Sequence, residues 1–131
     1  MDDTFEHHMI VRQEHLNQYG NLFGGRVLAV IDELAFIACS RTFPGHNFVT
    51  RAVHHAEFTA PAILGDILEF RFGVEHVGST SVTVRVRMMV HSLRTKQPAE
   101  SFNGTVTMVC VDGNGHPAAV NDTGPGDDAT A

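Results

Sequence analysis

The chain has 131 residues, is 43% hydrophobic and 18% charged, and carries a formal net charge of −6 with neutral histidines. This is the composition of one ordinary globular domain with enough residues for a real core, and its acidity argues against a surface dominated by nucleic-acid binding. The longest apolar run is interrupted by Asp32-Glu33 and is too short to span a bilayer, and MDDTFEHH lacks the basic start and apolar core of a signal peptide. The expectations are therefore no nucleic acid, no membrane, and a cytoplasmic location.

In chain order, Phe5 to Val11 reads as a first strand, with Met9 and Val11 on one face and His8 and Ile10 on the other. Arg12 to Asn21 is polar and turn-rich. A helix is expected from about Leu22 to Arg41, with Asn21 as N-cap and Pro44-Gly45 beyond its end. At helical spacing the run Val27, Leu28, Val30, Ile31, Leu34, Ala35, Phe36, Ile37 leaves almost no polar face, so the helix should be buried.

Four strand-like stretches follow: Asn47 to Thr59, Ile67 to Val77, Thr80 to Ser92 and Glu100 to Val111. Leu68, Phe70, Phe72 and Val74 alternate onto one face of the second of these. Val82, Val84, Val86 and Met88 do the same on the third, opposite Thr83, Arg85 and Arg87. Gly65-Asp66, Gly78-Ser79 and Asp112 to Gly115 are turn signals, and 121–131 reads as a disordered tail after a single domain over 1–120. The order β-α-β-β-β-β is satisfied by an α+β fold: one antiparallel five-stranded sheet around one long central helix, its last three strands a meander. One sheet covers only part of so apolar a helix, so a second subunit is expected to cover the rest.

Three features could carry chemistry. Gly24-Gly25 near a helix N-terminus offers outward N–H groups and close backbone approach, suited to a developing oxyanion; the plain alternative is tight helix–sheet packing. Asp32 lies two turns further in. It suits a general base or a nucleophile; the alternative is a partly exposed Asp or an interface salt bridge, with Arg26 or Arg51 as candidate partners. Asn17 could hold a water or a carbonyl, or form a local turn bond. The adjacent pairs His7-His8 and His54-His55 lack zinc-ligand spacing, and Cys39 and Cys110 read as buried thiols.

Asn17-x-x-Gly20-x-Leu22-Phe23-Gly24-Gly25 followed by Asp32 resembles the signature of hotdog-fold acyl-CoA thioesterases. Phe48-Val49-Thr50, Phe58-x-x-Pro61, Gly65-Asp66, Gly78-x-Thr80-Ser81-Val82 and Val109-x-Val111-Asp112-x-x-Gly115-x-Pro117 continue the likeness over about residues 5 to 120. The resemblance implies a hotdog fold working as a homodimer, in many relatives a trimer of dimers. It implies hydrolysis of acyl-CoA to fatty acid and CoA with no metal and no cofactor. Carried over by position, Asp32 is base or nucleophile, Gly24 and Gly25 polarise the thioester carbonyl, and Asn17, from the other subunit, positions water or carbonyl. Thr50 bonds the reacting groups. Phe23 and the segment Gly78, Ser79, Thr80, Ser81 lie along the substrate channel. Arg51, Arg85, Arg94 and Lys96 are candidate cations at its mouth. The departures are His15, where an acidic residue is frequent, Arg26, and His54-His55; they bear on acyl preference and rate more than on reaction class.

Three rival readings stay open, one of them a His-rich metal protein, which would carry stoichiometric metal after purification. Thr42 to His46 is similar to the His-bearing loop of hotdog dehydratases, although it follows the helix instead of preceding it. A non-catalytic acyl-CoA-binding module would bind and retain intact thioester.

Overall fold

The computed structural model describes residues 5–120; the tail expected over 121–131 lies outside the described residues. The strands are β1 (Phe5–Ile10), β2 (Asn47–His54), β3 (Ile67–Val77), β4 (Ser81–His91) and β5 (Ala99–Val111), and the helix is α1 (Gly24–Thr42). All pairings are antiparallel and the sheet order is β1-β3-β4-β5-β2. Strands β3, β4 and β5 form the meander, and β1 and β2 are the two edges. The hotdog arrangement read from the sequence is the one found.

The period-two pattern explains the packing. Leu68, Phe70, Phe72 and Val74 of β3, and Val82, Val84, Val86 and Met88 of β4, are buried in one cluster with Val27, Ile31, Leu34, Ala35, Ala38 and Cys39 of α1. Burying each large side chain contributes roughly 1.5–3 kcal/mol. Alternate residues on the outer face are paired charges: Arg71 with Glu69 at 2.8 Å, Arg85 with Glu75 at 3.2 Å, and Arg87 with Glu100 at 2.7 Å. His8 and Ile10 face outward and Val11 inward, as the alternation requires.

Three expectations need correction. Asn21 is not the helix N-cap. Its N–H donates to Asn17 Oδ1 (3.1 Å) and its carbonyl accepts from Asn17 N–H (2.7 Å), so it closes a turn. The helix starts three residues later with Phe23 as N-cap and no side-chain cap. Strand β2 stops at His54 instead of continuing to Thr59, because His55 turns to φ 62°, where a strand cannot continue. His55 thus leaves the strand on which the His54-His55 pair was expected to alternate. Finally, α1 is not buried all round: Asp32, Glu33 and Phe36 share an exposed flank, with Phe36 46% exposed.

Candidate active site

The exposed flank of α1 faces edge strand β2. Phe48 of β2 is buried under the helix, and two residues along, on the same face, stands Thr50. Thr50 Oγ1 donates a hydrogen bond to Asp32 Oδ1. The same hydroxyl lies 3.4 Å from Met108 Sδ on β5, a much weaker acceptor than a carboxylate. Directly after Thr50 the β2–β5 register slips at Arg51, a bulge that ends regular pairing beside this contact. Asp32 is exposed, as the plain alternative expected, and forms no ion pair with Arg26 or Arg51 of its own chain among the described residues. The result is an exposed carboxylate with one oxygen fixed by a neutral donor.

The N-terminus of α1 supplies the second element. Arg26 and Val27 donate to the Phe23 carbonyl (3.0 and 3.3 Å), whereas the N–H groups of Gly24 and Gly25 have no acceptor among the described residues. Without a side-chain cap these two N–H groups carry the positive end of the helix dipole outward. A Cβ on Gly25 would lie 2.8 Å from the half-exposed Phe23 ring, which would have to shift, whereas one on Gly24 would lie 3.4 Å from the Phe58 ring, an ordinary contact. Phe23 is half exposed over this end, and its N–H donates to the carbonyl of buried His15 (2.9 Å). His15 Nδ1 accepts the Arg12 N–H at 2.9 Å, so this departure from the family pattern is a scaffold for the helix entry.

Other expected residues lie apart from these. Asn17 Oδ1 accepts the N–H groups of Tyr19 (2.8 Å) and Asn21 (3.1 Å), so its oxygen is committed to the local turn and only its NH2 is left to meet a ligand. Gly78 to Ser81 forms the β3–β4 turn: Gly78 N–H donates to the Ser81 carbonyl (2.8 Å), and the carbonyls of Ser79 and Thr80 accept from Val120 and Cys110 (both 2.8 Å). Register places Ser81 beside Val109, and Val109 beside Val49, so this turn is at the Thr50 end of the sheet. Eight residues of helix, about 12 Å, separate Asp32 from Gly24. One chain therefore joins Asp32 with Thr50 but does not set them against the helix N-terminus.

Of the candidate cations, Arg85 is held by Glu75 and Asn103, and Arg94 lies 3.5 Å from Asp66. Arg51 and Lys96 have no ion pair among the described residues. His46 lies past the far end of α1, packed between Phe43 and Phe48 with both ring nitrogens buried and unbonded. That position gives no support to the dehydratase reading. Cys39 is fully buried; burial, and then the nearby Cys110, push its thiol up to about 12, which leaves it inert as a nucleophile.

One feature had no signal in the sequence: a cavity of ≈ 220 Å³ at the N-terminus of α1, bounded among others by Gly24, Val27, Phe58, Ala62, Met88 and Ser101. Its walls come from segments up to some eighty residues apart, so no local motif announces it.

A sheet wrapped on a single helix, with a helix-flank carboxylate and a bare helix N-terminus, defines a hotdog thioester-type domain. The model of the Thioesterase superfamily matches residues 19–95, and the chain belongs to that family. It is 35% identical over 85 residues to acetyl-coenzyme A thioesterase of Rattus norvegicus, covering 65% of this chain but 15% of the rat protein. An acyl-CoA hydrolase of Staphylococcus aureus, solved with butyryl-CoA, CoA and CoA disulfide, superposes with a TM-score of 0.77 at 27% identity, over 89% of this chain and 71% of that one. The same enzyme has been solved with an aspartate, an asparagine or a threonine replaced by alanine. A hexameric acyl-CoA thioesterase superposes with a TM-score of 0.74 at 34% identity, over 89% of this chain and 74% of that one.

Proposed function

We propose that the protein hydrolyses acyl-CoA thioesters, and that Asp32 carries the chemistry. The observation behind this reading is the hydrogen bond from Thr50 to an exposed, unpaired Asp32, in a chain of this family. Two spacings support it. The replaced asparagine and aspartate of the S. aureus enzyme are fifteen positions apart, as Asn17 and Asp32 are. Its replaced threonine follows the aspartate by seventeen positions, against eighteen here.

The thioester carbonyl oxygen accepts from the N–H groups of Gly24 and Gly25, which withdraw charge from the carbonyl carbon. Asp32 takes a proton from water as the water oxygen bonds that carbon. The C–S bond then breaks, and the proton passes to the departing CoA sulfur, giving carboxylic acid and CoA. In the alternative course Asp32 itself bonds the carbon and expels CoA thiolate, and water then cleaves the mixed anhydride. In both courses Thr50 holds Oδ1, so that the other oxygen reacts.

Because Asp32 and Gly24 are about 12 Å apart in one chain, the working site combines Asp32 and Thr50 of one copy with the helix N-terminus, Asn17 and the Gly78–Ser81 turn of another. The exposed flank of α1 and the free side of edge strand β2 are the surfaces such a homodimer covers. A hexamer, the state of one close structural relative, is the larger assembly we favour. The free buried thiols suit a cytoplasmic enzyme. Thiol release from acyl-CoA by the wild type and by Asp32→Asn tests the reading; a binding module would release none.

A further inference from the structure

We propose that His8, His91, Glu69 and Glu6, on the outer face of the sheet, bind a zinc ion that staples edge strand β1 to β3 and β4. The alternation of β1 turns His7 inward, its ring against Phe70 with centroids 5.9 Å apart, and His8 outward. Register then sets His8 directly opposite Glu69 and Glu6 opposite Arg71, and on β4 it places His91 opposite Ile67, two residues from Glu69. Glu6, His8 and Glu69 each present one ligand atom within 4.8 Å of those of the other two. His91 Nε2 lies 2.7 Å from Glu69 Oε1, which brings a second imidazole to the same carboxylate. The four side chains come from three strands, so no spacing along the chain announces them.

Imidazole and carboxylate are both zinc ligands, and four of them make a closed, tetrahedral site. With bonds of about 2.0–2.2 Å, the donor atoms around zinc stand roughly 3.3–3.6 Å apart, so these side chains need to close by about 1 Å. That is a small rotamer adjustment at a surface. The two imidazoles select zinc over Mg²⁺ and Ca²⁺, which take oxygen ligands. Charge favours a cation as well. Glu6 and Glu69 set two negative charges against the single Arg71, whose Nε lies 2.8 Å from Glu69 Oε2 and whose terminal nitrogen lies 3.6 Å from Glu6 Oε2. Arg71 holds the carboxylates while no metal is bound, and zinc displaces it from Glu69. Glu69 is the hub, with its side chain 13% exposed against 48% for Glu6 and 40% for His91. The other face of these strands packs on α1, so the site is across the sheet from Asp32 and serves β1, not thioester hydrolysis.

The test is equilibrium dialysis of the untagged, metal-free chain against Zn²⁺, with thermal midpoints measured in parallel. The proteins are wild type, His8→Ala, His91→Ala, Arg71→Gln and His116→Ala. The wild type should bind one zinc per chain and gain in thermal midpoint, as a ligand of the folded state requires. His8→Ala and His91→Ala should each weaken binding by at least about tenfold, the least that loss of a residue merely supporting a ligand costs, and should lose the gain in midpoint. Arg71→Gln removes the competing cation and should tighten binding. His116, exposed in the turn after β5, reports adventitious binding by a lone imidazole, and its variant should bind as the wild type does. Excess Mg²⁺ should leave the zinc in place. A wild type that takes up no zinc overturns the inference and leaves Arg71 as the cluster's own cation. Zinc binding that survives both His8→Ala and His91→Ala, or that Mg²⁺ displaces, overturns it equally.

Discussion

At the scale of single residues, the account turns on Asp32 and its partner. Asp32 stands in the middle of an apolar run, and that marked it in the sequence independently of the family resemblance. Its partner came only from the family resemblance, which put Thr50 at the reacting groups: no local pattern links the two, because Thr50 is eighteen residues away on a strand whose end and bulge were not legible. The contact with Thr50 fixes which carboxylate oxygen is held and which is free. Thr50→Ala should therefore lower kcat about tenfold to hundredfold, the effect of losing a hydrogen bond to a charged group, whereas Thr50→Ser, which keeps the hydroxyl, should retain most of it. Equal losses in both variants would point to a disturbed strand. Asn17 shows the opposite limit of sequence reading. Its side-chain oxygen is occupied by Tyr19 and Asn21 N–H groups, so the local turn bond offered as the alternative is present.

At the scale of elements, alternation made the strands legible and a buried stripe made the helix legible. The stripe Val27, Ile31, Leu34, Ala35, Ala38 has helical spacing, and it is this face, not the whole circumference, that is buried. The boundaries failed where chain direction depends on distant partners. Leu22 lies outside the helix, in an isolated bridge with Leu16 and with its N–H on the Ala62 carbonyl, and β2 ends where His55 reverses φ. The bare start of α1 follows from this path of the chain: the helix begins at Gly24, so the N-cap position falls on Phe23, whose side chain has no acceptor to offer. Ile31 is completely buried under the sheet. Ile31→Ala should cost about 2–5 kcal/mol of stability, read as a lowered urea midpoint with unchanged slope; a change below 0.5 kcal/mol, within the usual range for a surface position, would contradict the packing described.

At the scale of the whole molecule, the outer face of the sheet is a lattice of charges and the helix flank is unfinished. Glu69 is held below the usual carboxylate range, chiefly by its hydrogen bond with His91 (2.7 Å) and then by that from Arg71. A depressed folded-state pKa adds stability that is complete above the unfolded value, about 4.3, and is lost as pH falls through the lower folded value. Thermal midpoints of the wild type should thus drop more steeply below about pH 4.3 than those of Glu69→Gln. Parallel curves would remove Glu69 from the acid response. On the other side, Phe36 lies one helical turn beyond Asp32 on the exposed flank, where a second copy is expected. Phe36→Glu should shift sedimentation to the monomer and abolish thiol release together; a monomer that keeps full activity would show that one chain suffices.

The most direct measurement is thiol release from a panel of acyl-CoAs by the wild type and by folded Asp32→Asn. Asparagine keeps the shape and the Thr50 contact but removes both the base and the anionic nucleophile. The account predicts hydrolysis by the wild type and a loss of about 10²- to 10⁴-fold in kcat for the variant, the span of a positioned general base. Equal rates in the two proteins would contradict the role given to Asp32.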